Sequence, residues 1–216
     1  MMLWGGTLGD GALELRRRGD GGARLEGRFP YNRNAILSDG GRTGRPRKER
    51  FAPGAFAFRL EDLTADLHLL FGHSYDRPLA SRATKTLTFR DTAEALFFDA
   101  TITPEIAATQ HGRDALALIG AGLSVGVSPG FRIPPKRAVT DAEEFEDEAD
   151  DGSLDEDGSP RRGAIIRTVK QALLYEMSLV TIPAYSEAQI EARSWLPSET
   201  VPDASGLHRT LNRWRR

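Results

Sequence analysis

The sequence predicts a single α+β domain dominated by a partly closed, mostly antiparallel β-barrel with a few flanking helices. Short runs of β-branched, aromatic and other apolar residues recur along the chain, and turns containing glycine or proline separate them. Two of these runs, residues 84–90 and 95–102, alternate well enough to pair as strands across a turn at 91–94. The longest helical pattern is confined to residues 103–120. Strand candidates therefore dominate the chain.

The other elements follow from local signals. Further strand candidates lie at residues 23–28, 65–72, 123–133 and 164–181, and further helix candidates lie at residues 51–63 and 186–195. The helix at 103–120 has the clearest boundaries. Thr103 is its expected N-cap, with Pro104 in the first turn, and Gly120 suits the C-terminal cap.

Composition divides the chain into segments. Residues 1–22 are rich in glycine and are expected to form a flexible arm or a first edge hairpin, and residues 196–216 are expected to form a flexible basic tail. Residues 23–195 would form the folded domain. Within it, residues 140–162 are strongly acidic with little apolar content, which predicts a disordered insertion between two strands. The Arg- and Gly-rich residues 32–50 are interpreted as an exposed loop or a substrate-binding flap.

The bulk composition excludes several classes of function. The formal net charge of −2 does not indicate a dedicated nucleic-acid-binding protein. The chain has no cysteine, so disulfides, thiolate metal sites and a cysteine nucleophile are excluded. The lack of a long apolar run or a signal-peptide pattern predicts a soluble protein of cytoplasmic origin without membrane contact. Because phosphate-binding and zinc-protease motifs are also missing, no cofactor or metal is expected.

The remaining residues allow chemistry with a hydroxyl nucleophile, which needs a serine, an imidazole base and a group that orients the imidazole. His73 follows an apolar strand and Gly72, so its imidazole is expected at the rim of the core. If that strand continued unbroken, alternation would place His68 and His73 on opposite faces. Ser124 and Ser128 lie in GLSVGVSPGF, where glycines let the backbone approach a bound peptide. The two serines are four residues apart, so parity cannot choose between them.

Three segments together resemble the prohead protease family of tailed phages. They are LLFGHSYDRPLAS, the helix HGRDALALIGAG running into GVSPGF, and LLYEMSLVTIPAYSEAQI, with FAPGAF ahead of them. The segments follow the order of that family over residues 25–190. The resemblance implies a serine endopeptidase whose fold is similar to that of the herpesvirus assembly proteases, the assemblins.

The resemblance also implies the site residues. His73 matches the catalytic base, Ser128 the nucleophile of a Ser-x-Gly-Phe pattern, and Glu176 the acid that orients the histidine. Pro129 departs from the family pattern and removes the N–H that follows the nucleophile. Ser124 therefore stays open as an alternative nucleophile. Three other side chains stay open as the third member of the triad: Asp76, Asp114 and His111.

The partners implied by the resemblance are the major capsid protein with its scaffolding segment, and the protease itself. All would be packaged inside the prohead in the host cytoplasm, and a homo-oligomer is compatible with this reading. The alternative is a catalytically inactive internal scaffold of the same fold, which the long acidic stretch and Pro129 favour. The basic segment LHRTLNRWRR is interpreted as a docking segment or a solvated tail.

Overall fold

The computed structural model describes residues 13–41, 44–124, 126–150, 152, 162–181 and 183. Strands account for 46% of these residues and helices for 13%. In chain order the elements are β1 (Leu13–Arg17), β2 (Ala23–Pro30), β3 (Ala35–Ser38), β4 (Arg47–Phe51), α1 (Ala57–Glu61), β5 (His68–Phe71), β6 (Ser74–Ser81), β7 (Leu87–Asp91), β8 (Ala95–Ile102), α2 (Pro104–Ala108), α3 (Gln110–Gly120), β9 (Gly126–Arg132), β10 (Glu143–Asp147), β11 (Ile165–Val169) and β12 (Leu173–Val180).

The strands form three four-stranded sheets rather than one barrel. The first sheet has the order β1-β2-β8-β7, the second β10-β11-β4-β3, and the third β6-β5-β12-β9. In the described part of the chain none of them closes on itself, so the predicted α+β barrel, with its likeness to the assemblin fold, is wrong. Alternation along a strand specifies which face is buried, but it does not specify whether the outer strands of a sheet meet.

Two strand pairs are parallel, one in the second sheet and one in the third. β5 pairs in parallel with β12, and β4 pairs in parallel with β11, whereas the other strand pairs are antiparallel. Parallel strands bring their carboxyl ends to the same edge of a sheet. The segment that follows β5 therefore lies beside the end of β12.

A cluster of phenylalanines joins the three sheets. Phe51 at the end of β4 is fully buried, and its ring centroid lies 5.3 Å from that of Phe29 on β2 and 4.8 Å from that of Phe131 on β9. Phe56, which precedes α1, stacks on Phe51 at 5.0 Å. Because these rings come from all three sheets, their burial supplies the apolar contact that holds the sheets together.

The helix predicted at 103–120 is two helices. Thr109 is extended, with φ −68° and ψ 163°, and separates α2 from α3. Its hydroxyl accepts a hydrogen bond from the N–H of Gly112 at 3.1 Å and so caps α3, while Thr103 caps α2 as expected. A Cβ on Gly112 would lie 1.9 Å from the carbonyl oxygen of Ile106, so the glycine lets the two helices meet closely.

Part of the acidic stretch is ordered as an edge strand. Residues Glu143–Asp147 form β10, which pairs with β11, although disorder was expected over 140–162. Basic side chains on the neighbouring strands neutralise it: Lys48 with Glu148, Arg50 with Glu146, Arg167 with Glu143, and Lys170 with Glu144. Opposite charges on paired strands stabilise a sheet, whereas the isolated segment would repel itself.

Residues 1–22 were expected to form a flexible arm or a first edge hairpin, and residues 196–216 were expected to form a flexible tail. Residues Leu13–Arg17 of the predicted arm form β1, the edge strand beside β2. The expected helix at 186–195 and the tail at 196–216 lie outside the described residues. Among the helices that are described, none has the length and apolar character to cross a membrane.

Candidate active site

A β-bulge in β12 turns two polar side chains away from the core. Leu174 pairs with Phe131 and Glu176 pairs with Gly130, so Tyr175 is an extra residue in β12. Leu174 is packed in the core on one side of the bulge, and Met177 and Leu179 are packed there on the other. An odd separation between core residues means that the bulge has switched the parity of the strand. Glu176 and Ser178 consequently project together from the opposite face of the sheet.

The histidine lies in a two-residue turn. Phe71 at the end of β5 pairs with Ser74 at the start of β6, and the residues between them, Gly72 and His73, have φ values of 68° and 57°. Positive φ at both central positions is the pattern of a type I′ hairpin turn. The second position normally holds glycine or asparagine, so a histidine there is unusual. β5 ends at Phe71, so the strand does not run unbroken to His73 and alternation does not decide the faces of His68 and His73.

The parallel pairing of β5 with β12 brings this turn to the polar face of β12. The Nδ1 atom of His73 lies 2.7 Å from Oε1 of Glu176, and the backbone N–H of His73 donates to Oγ of Ser178 at 2.9 Å. The Ser178 hydroxyl in turn donates to Oε2 of Glu176 at 2.7 Å. A closed ring of hydrogen bonds thus runs from the main chain of His73 back to its own side chain.

Burial and hydrogen bonding distinguish the two nitrogens of the His73 imidazole. Glu176 is 4% exposed and Ser178 is fully buried, whereas the side chain of His73 is 44% exposed. The hydrogen bond that His73 donates to the Glu176 carboxylate raises the pKa of His73, and partial burial opposes that effect. When Nδ1–H donates to Glu176, the neutral imidazole carries its free lone pair on Nε2. The imidazole of His73 can therefore accept a proton at Nε2, while Glu176 holds the imidazole at Nδ1.

Ser128 lies on the same face, one strand further on. β9 pairs with β12 in the register Ser128 to Ser178 and Gly130 to Glu176. Directly opposed residues of antiparallel strands have Cβ atoms about 4.5–5.5 Å apart and side chains on the same face. Ser128 is half-buried, and within the described residues no hydrogen bond joins it to His73. Hydrogen bonds between a nucleophile and its base often become short only when substrate is bound.

Gly130 makes room for the carboxylate. A Cβ at this position would lie 1.9 Å from Oε1 of Glu176 and 2.6 Å from Cδ. The Glu176 side chain therefore lies directly over the backbone of Gly130. The glycine of the Ser-x-Gly pattern thus has a physical role beside the serine, which is to seat the acid that contacts His73.

The alternative residues have other surroundings. Ser124 precedes β9, is 1% exposed, and its Oγ has no hydrogen-bond partner among the described residues, so its hydroxyl is buried in the interior. The Nε2 atom of His111 lies 3.0 Å from the carbonyl oxygen of Pro78. Asp114 accepts a hydrogen bond from Gln110. Asp76 is exposed on β6. Among these candidates and Glu176, the carboxylate at hydrogen-bond distance from His73 is that of Glu176.

Aromatic and basic side chains lie near Glu176. His68 pairs with Glu176 in register and its ring meets that of Tyr75 at 5.8 Å between centroids. Burial and the nearby Glu176 carboxylate raise the pKa of Tyr75. Arg132 lies over the ring of Tyr175 at 5.6 Å. His68 and Tyr75 therefore lie near Glu176, and Tyr175 is the bulge residue that precedes it.

Sequence reasoning missed Ser178 and the reason for Gly130. The signal for Ser178 was available, because Glu176 and Ser178 are two residues apart and a strand places such residues on one face. The surrounding apolar residues indicated burial for both. A buried carboxylate needs hydrogen-bond donors, and a hydroxyl two residues along the strand lies on the same face.

Comparison with known proteins gives one match. No curated protein and no solved structure matches the chain. The sequence model of one family, described as caudovirus prohead serine protease, matches residues 40–200, a range that contains the His73, Ser128 and Glu176 positions. Because the match covers more than half of the 216 residues, the chain belongs to the caudovirus prohead serine proteases, the maturation proteases of tailed-phage capsids.

Proposed function

We propose that Ser128, His73 and Glu176 form the catalytic triad of this prohead protease. The observation that carries the proposal is the 2.7 Å contact between Nδ1 of His73 and Oε1 of Glu176, beside the strand position of Ser128. A buried carboxylate that holds one ring nitrogen and leaves the other free is the arrangement that general-base catalysis by histidine requires. Ser124, buried and facing inward, lacks this relationship.

In the proposed reaction, Nε2 of His73 takes the proton of the Ser128 hydroxyl while Oγ attacks the scissile carbonyl carbon. The imidazolium, stabilised by Glu176, then donates that proton to the departing amine, which leaves an acyl-enzyme at Ser128. A water molecule, deprotonated by His73, hydrolyses the ester and restores the serine. Pro129 has no N–H, so the donors that hold the oxyanion come from residues other than the one after the nucleophile.

The substrates follow from the family. Prohead proteases act within the phage procapsid on capsid proteins. We propose that this chain cleaves the scaffolding segment of its major capsid protein and also cleaves itself, inside proheads assembled in the host cytoplasm. Confinement raises the local concentration of enzyme and substrate, so a modest turnover number suffices.

Co-expression with the major capsid protein of the same phage tests this function. The wild-type chain and the variants Ser128→Ala, His73→Ala and Ser124→Ala are compared by gel electrophoresis and mass spectrometry of the products. We expect cleavage with wild type and with Ser124→Ala, and no cleavage with the other two. Cleavage that survives Ser128→Ala removes this serine as the nucleophile.

The second candidate is an inactive internal scaffold, favoured by the missing N–H at Pro129. The same experiment separates the two functions. If the wild-type chain is incorporated into proheads but neither the capsid protein nor the chain itself is cut, the scaffold function is the correct one.

A further inference from the structure

Ser178 forms the link between the two sides of the proposed site, and the proposed mechanism does not use it. Its hydroxyl is fully buried, accepts a hydrogen bond from the backbone N–H of His73 at 2.9 Å, and donates one to Oε2 of Glu176 at 2.7 Å. One hydroxyl therefore contacts both the main chain that carries the imidazole and the carboxylate that orients it.

Each of the two contacts stabilises a feature that is otherwise energetically costly: the left-handed backbone of His73 and the buried carboxylate of Glu176. His73 adopts a left-handed conformation with φ 57°, which is costly for a side chain other than glycine and needs support from its surroundings. Glu176 is 4% exposed, and a buried carboxylate with an unpaired oxygen is destabilised in its charged form. The Ser178 hydroxyl stabilises both features, because it accepts a hydrogen bond from the His73 N–H and donates one to the Glu176 carboxylate.

We propose that Ser178 is a positioning residue for the base, holding the His73 turn and the Glu176 carboxylate in the relative position that the reaction needs. This inference rests on the proposed function of His73 and Glu176. Ser178 itself pairs with Ser128 across the strands, but its hydroxyl is occupied by the two contacts and is not exposed to substrate.

Removing the hydroxyl has a definite expected effect. In Ser178→Ala, Oε2 of Glu176 loses its donor inside the protein, so the carboxylate is held less firmly beside Nδ1 of His73. The rate constant for cleavage should fall about 10- to 100-fold, the range expected when a hydrogen bond to a charged group is lost. KM should stay the same, because the hydroxyl does not contact substrate.

The imidazole titration gives a readout that a purely structural role would not change. In a Ser128→Ala background, which prevents self-cleavage, NMR of the His73 ring measures its pKa. We expect that pKa to fall toward the ordinary histidine value in Ser178→Ala, because Glu176 is the charged group that raises it. The matched control is Ser81→Ala, which removes another buried hydroxyl, one that bonds to Thr84 instead. The control should change neither quantity.

The outcomes separate this inference from the proposed function. If Ser178→Ala leaves the rate and the His73 titration at wild-type values, or lowers the rate without changing the titration, Ser178 is not a positioning residue. If Ser128→Ala still cleaves, the proposed nucleophile fails while the titration still tests Ser178. If Ser178→Ala does not fold, Ser178→Cys is used, because it fills the site with a thiol that hydrogen-bonds only weakly. The same losses in cleavage rate and in His73 pKa are expected.

Discussion

Replacing Gly130 by alanine places a methyl group where the Glu176 carboxylate lies. The added Cβ would be 1.9 Å from Oε1, 2.6 Å from Cδ and 2.9 Å from Cγ of Glu176. Ordinary contact with a Cβ begins at 3.4 Å, so Oε1 must move by about 1.5 Å. Glu176 is buried and bonded to Ser178, which prevents a simple swing of the side chain into solvent.

A displacement of this size breaks the 2.7 Å hydrogen bond between Oε1 and Nδ1 of His73. A misplacement of about 1 Å in a catalytic group is enough to lower a rate roughly 100-fold. We therefore expect kcat/KM for Gly130→Ala to fall by about two orders of magnitude, which is about 2.7 kcal/mol in transition-state free energy.

The assay is the rate of capsid-protein cleavage at equal concentrations of folded enzyme, with thermal unfolding measured alongside. Gly120→Ala, at the end of α3, is the matched control, because a Cβ there meets nothing within 4 Å. The control should cleave at the wild-type rate. A Gly130→Ala protein that folds and cleaves at the wild-type rate refutes the claim that Glu176, seated over Gly130, orients the base.

Two further predictions follow from the site and the core. In Glu176→Gln, cleavage should fall roughly 10²- to 10⁴-fold. Because Glu176 raises the pKa of His73, the rise of activity with pH should also move to lower pH in this variant, as a pH–rate profile would show. The raised pKa contributes stability that is fully present below the ordinary histidine pKa of 6.5 and is lost as pH rises through the folded value. The difference in Tm between wild type and Glu176→Gln should therefore shrink over that range, and a constant difference contradicts the linkage. In the core, Phe51→Ala should lower the free energy of unfolding by about 3–5 kcal/mol, measured by denaturant titration. Phe58→Ala, at a side chain that is 64% exposed, should change it by about 0.5 kcal/mol or less, and equal effects would show that Phe51 does not join the sheets.

Local pattern predicted individual elements better than their assembly. The β7–β8 hairpin and the cap at Thr103 were predicted correctly, because alternation and capping depend on residues close in sequence. The division at Thr109 was missed, because a single threonine is both the C-cap of α2 and the N-cap of α3. The order in β10 was missed for a different reason. Glu146 in the strand contacts Arg50, and Glu148 just after it contacts Lys48, and both basic residues come about a hundred residues earlier in the chain.

The site shows the same limit. His73 and Glu176 are 103 residues apart, and their pairing was expected from the family resemblance rather than from the residues themselves. Alternation along the strand could not decide whether Glu176 faces solvent or the site, because the bulge at Tyr175 changes the face that Glu176 occupies. A bulge of this kind leaves no reliable mark in a single sequence, since it depends on the partner strand.

Pro129 has a consequence beyond the chemistry of the serine. β9 is an outer strand of the third sheet, and its pairing with β12 continues through Pro129, so the proline nitrogen is expected on the side away from β12. Pro129 is itself buried, so this edge is covered at that point. An edge with a gap in its row of amide donors is a poor template for a foreign strand. We therefore expect that copies of this chain concentrated inside a capsid shell do not associate by strand pairing at β9. The site then stays accessible to peptide substrates.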